Sequence, residues 1–372
     1  MDFDFNDEQE QLRDACLRWA DKAYTFERRQ SIVRESHGFS AQAYQELAEL
    51  GLTALYVPEA HGGMGMGPVE GMVVMESLGR GMLLEPLAST LVCSAVLAQH
   101  GSEALQAAWL PRLASGEAIV ALAHQEPKAR HNLSHCDTQA EAKGDGYVLT
   151  GHKSLVPAGD VAHGFIVPAL LNHKLALFLV EAQASGCTTR GYTLQDGARA
   201  AELTLNQCPA HCITLDGDRV LAQAVDIGIA LACAEAVGVM DKTLLTTAEY
   251  LNTRKQFGVP IANFQALRHR LADMKMQLEL ARSMSYYATL KLQAPDAERR
   301  MALSRAKVQL GQSMRYVGQQ AVQLHGGIGV TDEYIVSHYF KRLTQLEMTF
   351  GDTLHHLGHV SEAMQDTAGV FV

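Results

Sequence analysis

Apolar residues recur every three or four positions along much of the first third of the chain. "DEQEQLRDACLRWADKAY", "SAQAYQELAELGL" and "GPVEGMVVMESLGRGM" all carry this spacing, which gathers apolar side chains on one face of a helix. Ser40 precedes the second run as an N-cap, where its hydroxyl oxygen can accept from an unpaired backbone N–H. Between these runs "VPEAHGGMGMG" reads as a glycine-rich turn. No Gly-Lys-Ser/Thr follows it, so it is not a P-loop.

From about residue 118 the period changes. "AIVALAH", "GYVLTGHK", "HGFIVPAL", "KLALFLVE" and "AELTLN" are short apolar or alternating runs, separated by turns such as "GDG" and "NH". They predict strands of an antiparallel barrel or sandwich. From about residue 218 long helical runs return. In "VDIGIALACAEAVGVMDKTLLTTAEYLNTRKQ" the small residues Ala230, Ala234, Ala236 and Gly238 let a neighbouring helix approach closely. The chain shows no internal repeat. The expected architecture is α+β: a helical segment over 1–117, a β-barrel over 118–217 and a four-helix-type bundle over 218–372. The long apolar helices and small residues of that bundle suggest an oligomer core.

Composition narrows the function classes. With 372 residues, 47% of them hydrophobic, the chain can bury a large core. A net charge of −10 argues against a nucleic-acid surface. The acidic start "MDFDFNDEQEQLRDA" lacks a basic-then-apolar leader. No apolar run approaches the length of a membrane span, so no membrane partner is expected. Seven scattered cysteines suit a reducing cytoplasm better than a disulfide framework. "CPAHC" (Cys208, His211, Cys212) resembles half a zinc site, but no second pair lies at zinc spacing, and a strand edge is the expected setting. "HHLGH" puts His355 and His359 on one helical face. Without a glutamate in a metalloprotease pattern this reads as a polar face, and no metal is expected.

Chemistry concentrates in "LNTRKQFGVPIANFQALRHRLADM", residues 251–274. Arg254, Gln256 and Phe257 precede Gly258 and an amphipathic run. Such residues can cap a helix, or they can reach out to hold a phosphate, for which an arginine fork is suited. Gln323, Gly326 and Gly327 in "QLHGGIGVTDEY" form a second such place, where glycine lets backbone N–H groups approach a ligand or simply turns the chain.

These segments in order, together with "VPEAHGG" and "GYVLTGHK", resemble the acyl-CoA dehydrogenase family over nearly the whole chain. The resemblance implies FAD as cofactor, an acyl-CoA thioester as substrate and a tetramer of paired subunits. It also implies removal of two hydrogens across the α and β carbons. In that reaction a carboxylate takes the α proton and the flavin the β hydride, and electrons pass on to an electron-transfer flavoprotein. In the family each FAD is held by two chains. The neighbour donates an Arg–x–Gln/Thr–Phe motif and a Gln–x–x–Gly–Gly motif, matched here by Arg254, Gln256, Phe257 and by Gln323, Gly326, Gly327.

The set that would cradle this chain's own flavin departs from the family pattern. Where the family has Trp–Ile–Thr/Ser after Gly–x–Lys, Gly151–His152–Lys153 leads to Leu155, Val156 and Pro157. Proline offers neither an N–H nor a hydroxyl. Upstream, Glu126 and Pro127 of the family's Thr–Glu–Pro survive, and its Gly–Ser–Asp does not. Counting from Gly326 puts Phe350 at the usual place of the base, with Asp352 replacing the family's threonine. Counting back from Arg254 puts Gly228 at the alternative place. Asp352, Asp226, Glu347 and Glu235 are nearby carboxylates. Asp352 and Asp226 are each two residues away, an offset that turns a helical side chain by about 200°. Asp352 is the candidate base among them, and a structural hydrogen bond is the competing reading for each.

The expected function is therefore that of a subunit of a heteromeric acyl-CoA dehydrogenase. It would complete the FAD site of a catalytic second subunit in an α2β2 assembly, as in small subunits described for pimeloyl-CoA and steroid side-chain thioesters. A homotetramer with an unusual base such as Asp352, or a non-catalytic acyl-CoA-binding relative, is the alternative.

Overall fold

The structure, a computed structural model, describes residues 4–144 and 146–365. Asp145 of the "GDG" turn, the first three residues of the acidic start and the last seven residues of the chain lie outside the described residues.

Six helices come first: α1 (Asp7–Lys22), α2 (Phe26–Glu35), α3 (Ala41–Glu49), α4 (Pro68–Gly79), α5 (Leu87–His100) and α6 (Glu103–Ala114). Seven strands follow: β1 (Val120–Leu122), β2 (Gln139–Lys143), β3 (Gly146–Pro157), β4 (Gly164–Leu171), β5 (Lys174–Glu181), β6 (Cys187–Thr193) and β7 (Arg199–Thr214). The chain then forms α7 (Gly217–Thr253), a hairpin of β8 (Lys255–Gln256) and β9 (Val259–Pro260), α8 (Gln265–Lys291), α9 (Asp296–His325), α10 (Ile335–Met348) and α11 (Thr353–Gln365). Ser40 caps α3 as expected, its side chain accepting from Ala43 N. Helices, barrel and helices follow in the order the sequence predicts.

Packing divides the chain differently from element type. Met1–Phe26, Pro68–Leu83 and Ile229–Val372 form one unit, and Glu27–Gly67 with Leu84–Gly228 form the other. The first 117 residues thus contribute to both.

In the second unit the strands close on themselves. β2 pairs with β3, β3 with β7, β7 with β5, β5 with β4, and β4 with β2. Closure removes the open edges of a sheet. The pairing is not wholly antiparallel, because β1 and β2 both run parallel to β4. Phe165, Val167, Ala169, Ala176, Phe178, Val180, Leu203 and Leu205 fill the barrel, alternating along their strands as the pleat requires. "CPAHC" lies inside β7, with Cys208 opposite Leu149 and His211 opposite Leu179. It is bracketed by strands on both sides and is not at an edge.

In the first unit α8, α10 and α11 pack on α9, and α4 packs on α1 and α8. Small residues let α4 and α7 approach closely: a Cβ on Gly238 of α7 would lie 1.9 Å from Glu76 O, and one on Gly79 of α4 2.3 Å from Glu235 O. One correction concerns α7. It is long and apolar enough to cross a membrane, contrary to the reading of the sequence, but 94% of its most apolar window is buried inside the protein. That is the setting of a core helix.

Candidate cofactor site

The hairpin after α7 answers what Arg254, Gln256 and Phe257 do within their own chain. Arg254 N donates to Tyr250 O at 2.8 Å and Ile261 N to Arg254 O at 2.9 Å, so the backbone alone ends the helix and closes the hairpin. The side chains of Arg254, Gln256 and Gln323 are exposed, and none has a hydrogen-bonding partner among the described residues. Lys255 pairs with Pro260 and Gln256 with Val259. The two linking residues, Phe257 and Gly258, have φ of 55° and 82°, the signs a type I′ turn demands. Glycine adopts this conformation freely, whereas phenylalanine there is strained. Phe257 is also 90% exposed. Its ring meets that of Phe264 edge-on, with centroids 6.1 Å apart, while most of its surface faces solvent.

The second motif sits at the end of α9. Gly326 has φ 63° and ψ −139°, a conformation essentially reserved for glycine. A Cβ on Gly326 or Gly327 would meet no atom within 4 Å, so open space lies over this backbone. The structure brings the two motifs together through residues that sequence reasoning missed. Tyr250, one turn before Arg254, stacks on His325 with ring centroids 4.4 Å apart, and its hydroxyl donates to His325 O at 3.3 Å. Tyr334 joins both rings, 6.3 and 5.3 Å away. His325 donates from Nδ1 to Ala321 O at 2.8 Å, and burial lowers its pKa, keeping the ring a neutral stacking partner. The signal was present: Tyr250 precedes Arg254 by one helical turn, and His325 adjoins Gly326.

In the barrel unit the surviving residues Glu126 and Lys153 pair with each other. Both are buried, with Lys153 Nζ 2.6 Å from Glu126 Oε1. Glu126 also accepts from Thr138 Oγ1 at 2.7 Å, Thr138 N at 3.1 Å and Asp137 N at 2.6 Å. Burial raises its pKa, but the Lys153 charge and these donors outweigh that and hold it at about 2. Gly151 is required beside them, since a Cβ there would lie 2.4 Å from Thr138 Oγ1. The ladder between β3 and β7 shifts register between Lys153 and Val156, leaving Leu155 at φ 52° and 49% exposed. Pro157 ends β3, also exposed. Glu126 and Lys153 thus hold the barrel together, while Leu155 and Pro157 present no hydroxyl and, at Pro157, no N–H.

The carboxylates near the base positions are engaged in local structure. Asp352 Oδ1 accepts from His355 N at 2.8 Å, capping α11. Glu347 Oε1 accepts from Thr353 N at 3.0 Å and Thr353 Oγ1 at 2.5 Å, a second bond at the same helix start. Glu235 finds the partner that a buried carboxylate needs in Arg342, whose Nε lies 2.6 Å from Glu235 Oε1. Asp226 and Gly228 are buried in α7. Phe350 itself stands at φ 58°. Lys307 donates to the carbonyls of Leu346, Glu347 and Thr349 at 3.0, 3.0 and 2.8 Å. It thereby caps α10, and burial pushes its pKa down to about 8.

With this geometry in place, comparison with known proteins identifies the class. The family model described as acyl-CoA dehydrogenase, N-terminal domain, matches residues 6–117, and that described as acyl-CoA dehydrogenase, C-terminal domain, matches residues 216–365. The short-chain-specific acyl-CoA dehydrogenase of Megasphaera elsdenii is 30% identical, over 93% of this chain and 95% of that protein. Acyl-CoA dehydrogenase FadE27 of Mycobacterium tuberculosis is 27% identical, over 99% and 100%. The crystal structure of the ChsE4–ChsE5 complex from M. tuberculosis superposes with a TM-score of 0.91 at 27% identity, covering 99% of this chain and 100% of that one. The chain belongs to the acyl-CoA dehydrogenase family of FAD-dependent CH–CH oxidoreductases.

Proposed function

We propose that this chain is the FAD-completing subunit of a heteromeric acyl-CoA dehydrogenase. Arg254, Gln256 and Phe257 with Gln323, Gly326 and Gly327 would hold the adenosine-diphosphate end of a cofactor cradled by a catalytic partner subunit. One observation carries the reading: the Arg254 side chain is offered to solvent with no hydrogen-bonding partner among the described residues and Phe257 is 90% exposed, while by their place in the sequence Phe350 and Pro157 stand where base and hydroxyl would be. The guanidinium can form charge-assisted bonds to a pyrophosphate, and the open backbone at Gly326–Gly327 can be approached closely. When bound, FAD supplies the hydride acceptor. This chain contributes binding and orientation, and the partner removes the α proton from the acyl-CoA. An α2β2 assembly follows, with electrons leaving to an electron-transfer flavoprotein. Seven free cysteines support a cytoplasmic setting. A relative solved as a complex of two named chains supports the two-subunit reading. Against the homotetramer with Asp352 as base stands the cap that Asp352 makes on α11.

The test is expression alone and together with a catalytic acyl-CoA dehydrogenase subunit, followed by FAD content and turnover. We expect about one FAD per heterodimer and activity only in the complex, since a positioned base is worth roughly 10²–10⁴ in rate. Arg254→Ala in the complex should weaken FAD about tenfold or more, the worth of a charged hydrogen bond of about 1.5–3 kcal/mol. Turnover by the isolated chain at the rate of the complex, abolished by Asp352→Asn, would make Asp352 the base and overturn the proposal.

A further inference from the structure

We propose that His355, His356 and His359 at the start of α11 form a tridentate site for a divalent transition cation of the zinc class. The inference is independent of the FAD reading. His355 and His359 stand at i and i+4 on one helical face, with ring centroids 4.4 Å apart. His356 closes the triangle, its centroid 5.1 Å from His355 and 6.2 Å from His359. One nitrogen from each ring lies within 4.8 Å of the others. Zinc–nitrogen bonds of about 2.0–2.1 Å need a somewhat tighter triangle, which small side-chain rotations supply, because His355 is half-buried and His359 exposed.

A second observation points the same way. A Cβ on Gly351 would lie 2.6 Å from His356 Nε2 and 2.7 Å from His355 Cδ2, so glycine is what lets both rings converge over this turn. His356 is 4% exposed and held at both nitrogens, with Nδ1 3.2 Å from Ser304 Oγ and Nε2 3.0 Å from Phe350 O. Here Nε2 carries the proton and donates to Phe350 O, and Nδ1 accepts from Ser304 Oγ; ligation through Nε2 gives up the bond to Phe350 O and moves the proton to Nδ1, where it donates to Ser304 Oγ. This is the outer-shell bond that usually orients a metal-bound histidine. The Asp352 and Glu347 carboxylates in the same turn favour a cation; the Lys307 ammonium and the N-terminus of α11 oppose it. Three imidazoles and an open fourth position suit zinc, nickel or copper and not magnesium or calcium. The ion would pin the Phe350–Asp352 turn as a structural clamp.

The test is calorimetric titration of untagged, chelator-stripped full-length chain with zinc chloride, and separately with magnesium chloride. One zinc per chain should bind and magnesium should not. His355→Ala and His359→Ala, both at accessible positions, should each weaken zinc binding about tenfold or more, a loss at least as large as that of an outer-shell partner. Undiminished zinc affinity in the His355→Ala/His359→Ala double variant, or equal binding of magnesium, would overturn the site. FAD content in complex with a catalytic partner should be unchanged in these variants, which separates this result from the cofactor reading.

Discussion

Lys153→Met tests whether the residues kept from the family's flavin segments serve the scaffold. The perturbation leaves Glu126 buried with four of its five donors, because Thr138 N, Thr138 Oγ1, Asp137 N and the Cys136 thiol remain and the 2.6 Å ion pair is lost. The magnitude follows from the shift of Glu126 from an ordinary 4.5 to about 2. At about 1.4 kcal/mol per pKa unit this is roughly 3 kcal/mol of linked stability. It falls within the 3–5 kcal/mol typical of removing one partner of a buried pair. The sign is that of a depressed carboxyl: the stabilisation is fully present above about pH 4.5 and is lost as pH falls toward 2. The assay is urea unfolding of the barrel unit followed by fluorescence of the buried Trp109 in a Trp19→Phe background. Lys153→Met should lose about 3 kcal/mol at pH 7, and Glu126→Gln/Lys153→Met should recover much of it by removing the stranded charge. A loss below about 1 kcal/mol for Lys153→Met, or a double variant worse than the single one, would refute the reasoning.

Three further outcomes are expected. Asp352→Asn should leave both turnover of the assembled enzyme and stability nearly unchanged, since asparagine caps as well as aspartate, while Asp352→Ala should cost about 1 kcal/mol in thermal unfolding. Phe257→Gly removes a strained φ of 55° and should leave the isolated chain's stability within about 1 kcal/mol. In the complex it should weaken FAD retention by about tenfold or more, as for losing a buried aromatic of about 1.5–3 kcal/mol. Gly351→Ala combines φ 110° with a Cβ that would lie 2.6 Å from His356 Nε2, and calorimetry should show a loss of about 2 kcal/mol or more.

The division into helices, strands and helices was legible in the sequence because the hydrophobic period is a local property. It changes near residue 118 and again near 218, and the barrel strands run from Val120 to Thr214. The Ser40 cap, the small residues of α7 and the two motifs around Arg254 and Gly326 were legible for the same reason: each depends on spacing along one element. Whether α7 was a core helix could not be read from composition, since length and apolarity do not say what surrounds a helix. The closure of the barrel with β2 parallel to β4, and the place of "CPAHC" between two strands, also depended on contacts distant in sequence. The same holds at the candidate site. Sequence supplied Arg254, Phe257, Glu126, Glu235 and Asp352 as residue types suited to either chemistry or structure, and only packing showed which of them make structural bonds. Glu126 met Lys153, Glu235 met Arg342 and Asp352 met the N-terminus of α11, each a charge satisfied where it lies. The Arg254 side chain met no such partner among the described residues, and Phe257 was left strained and exposed at a hairpin tip. A hydrogen bond or its absence is a fact of three-dimensional proximity, and proximity between residues far apart in the chain is created only when the chain packs.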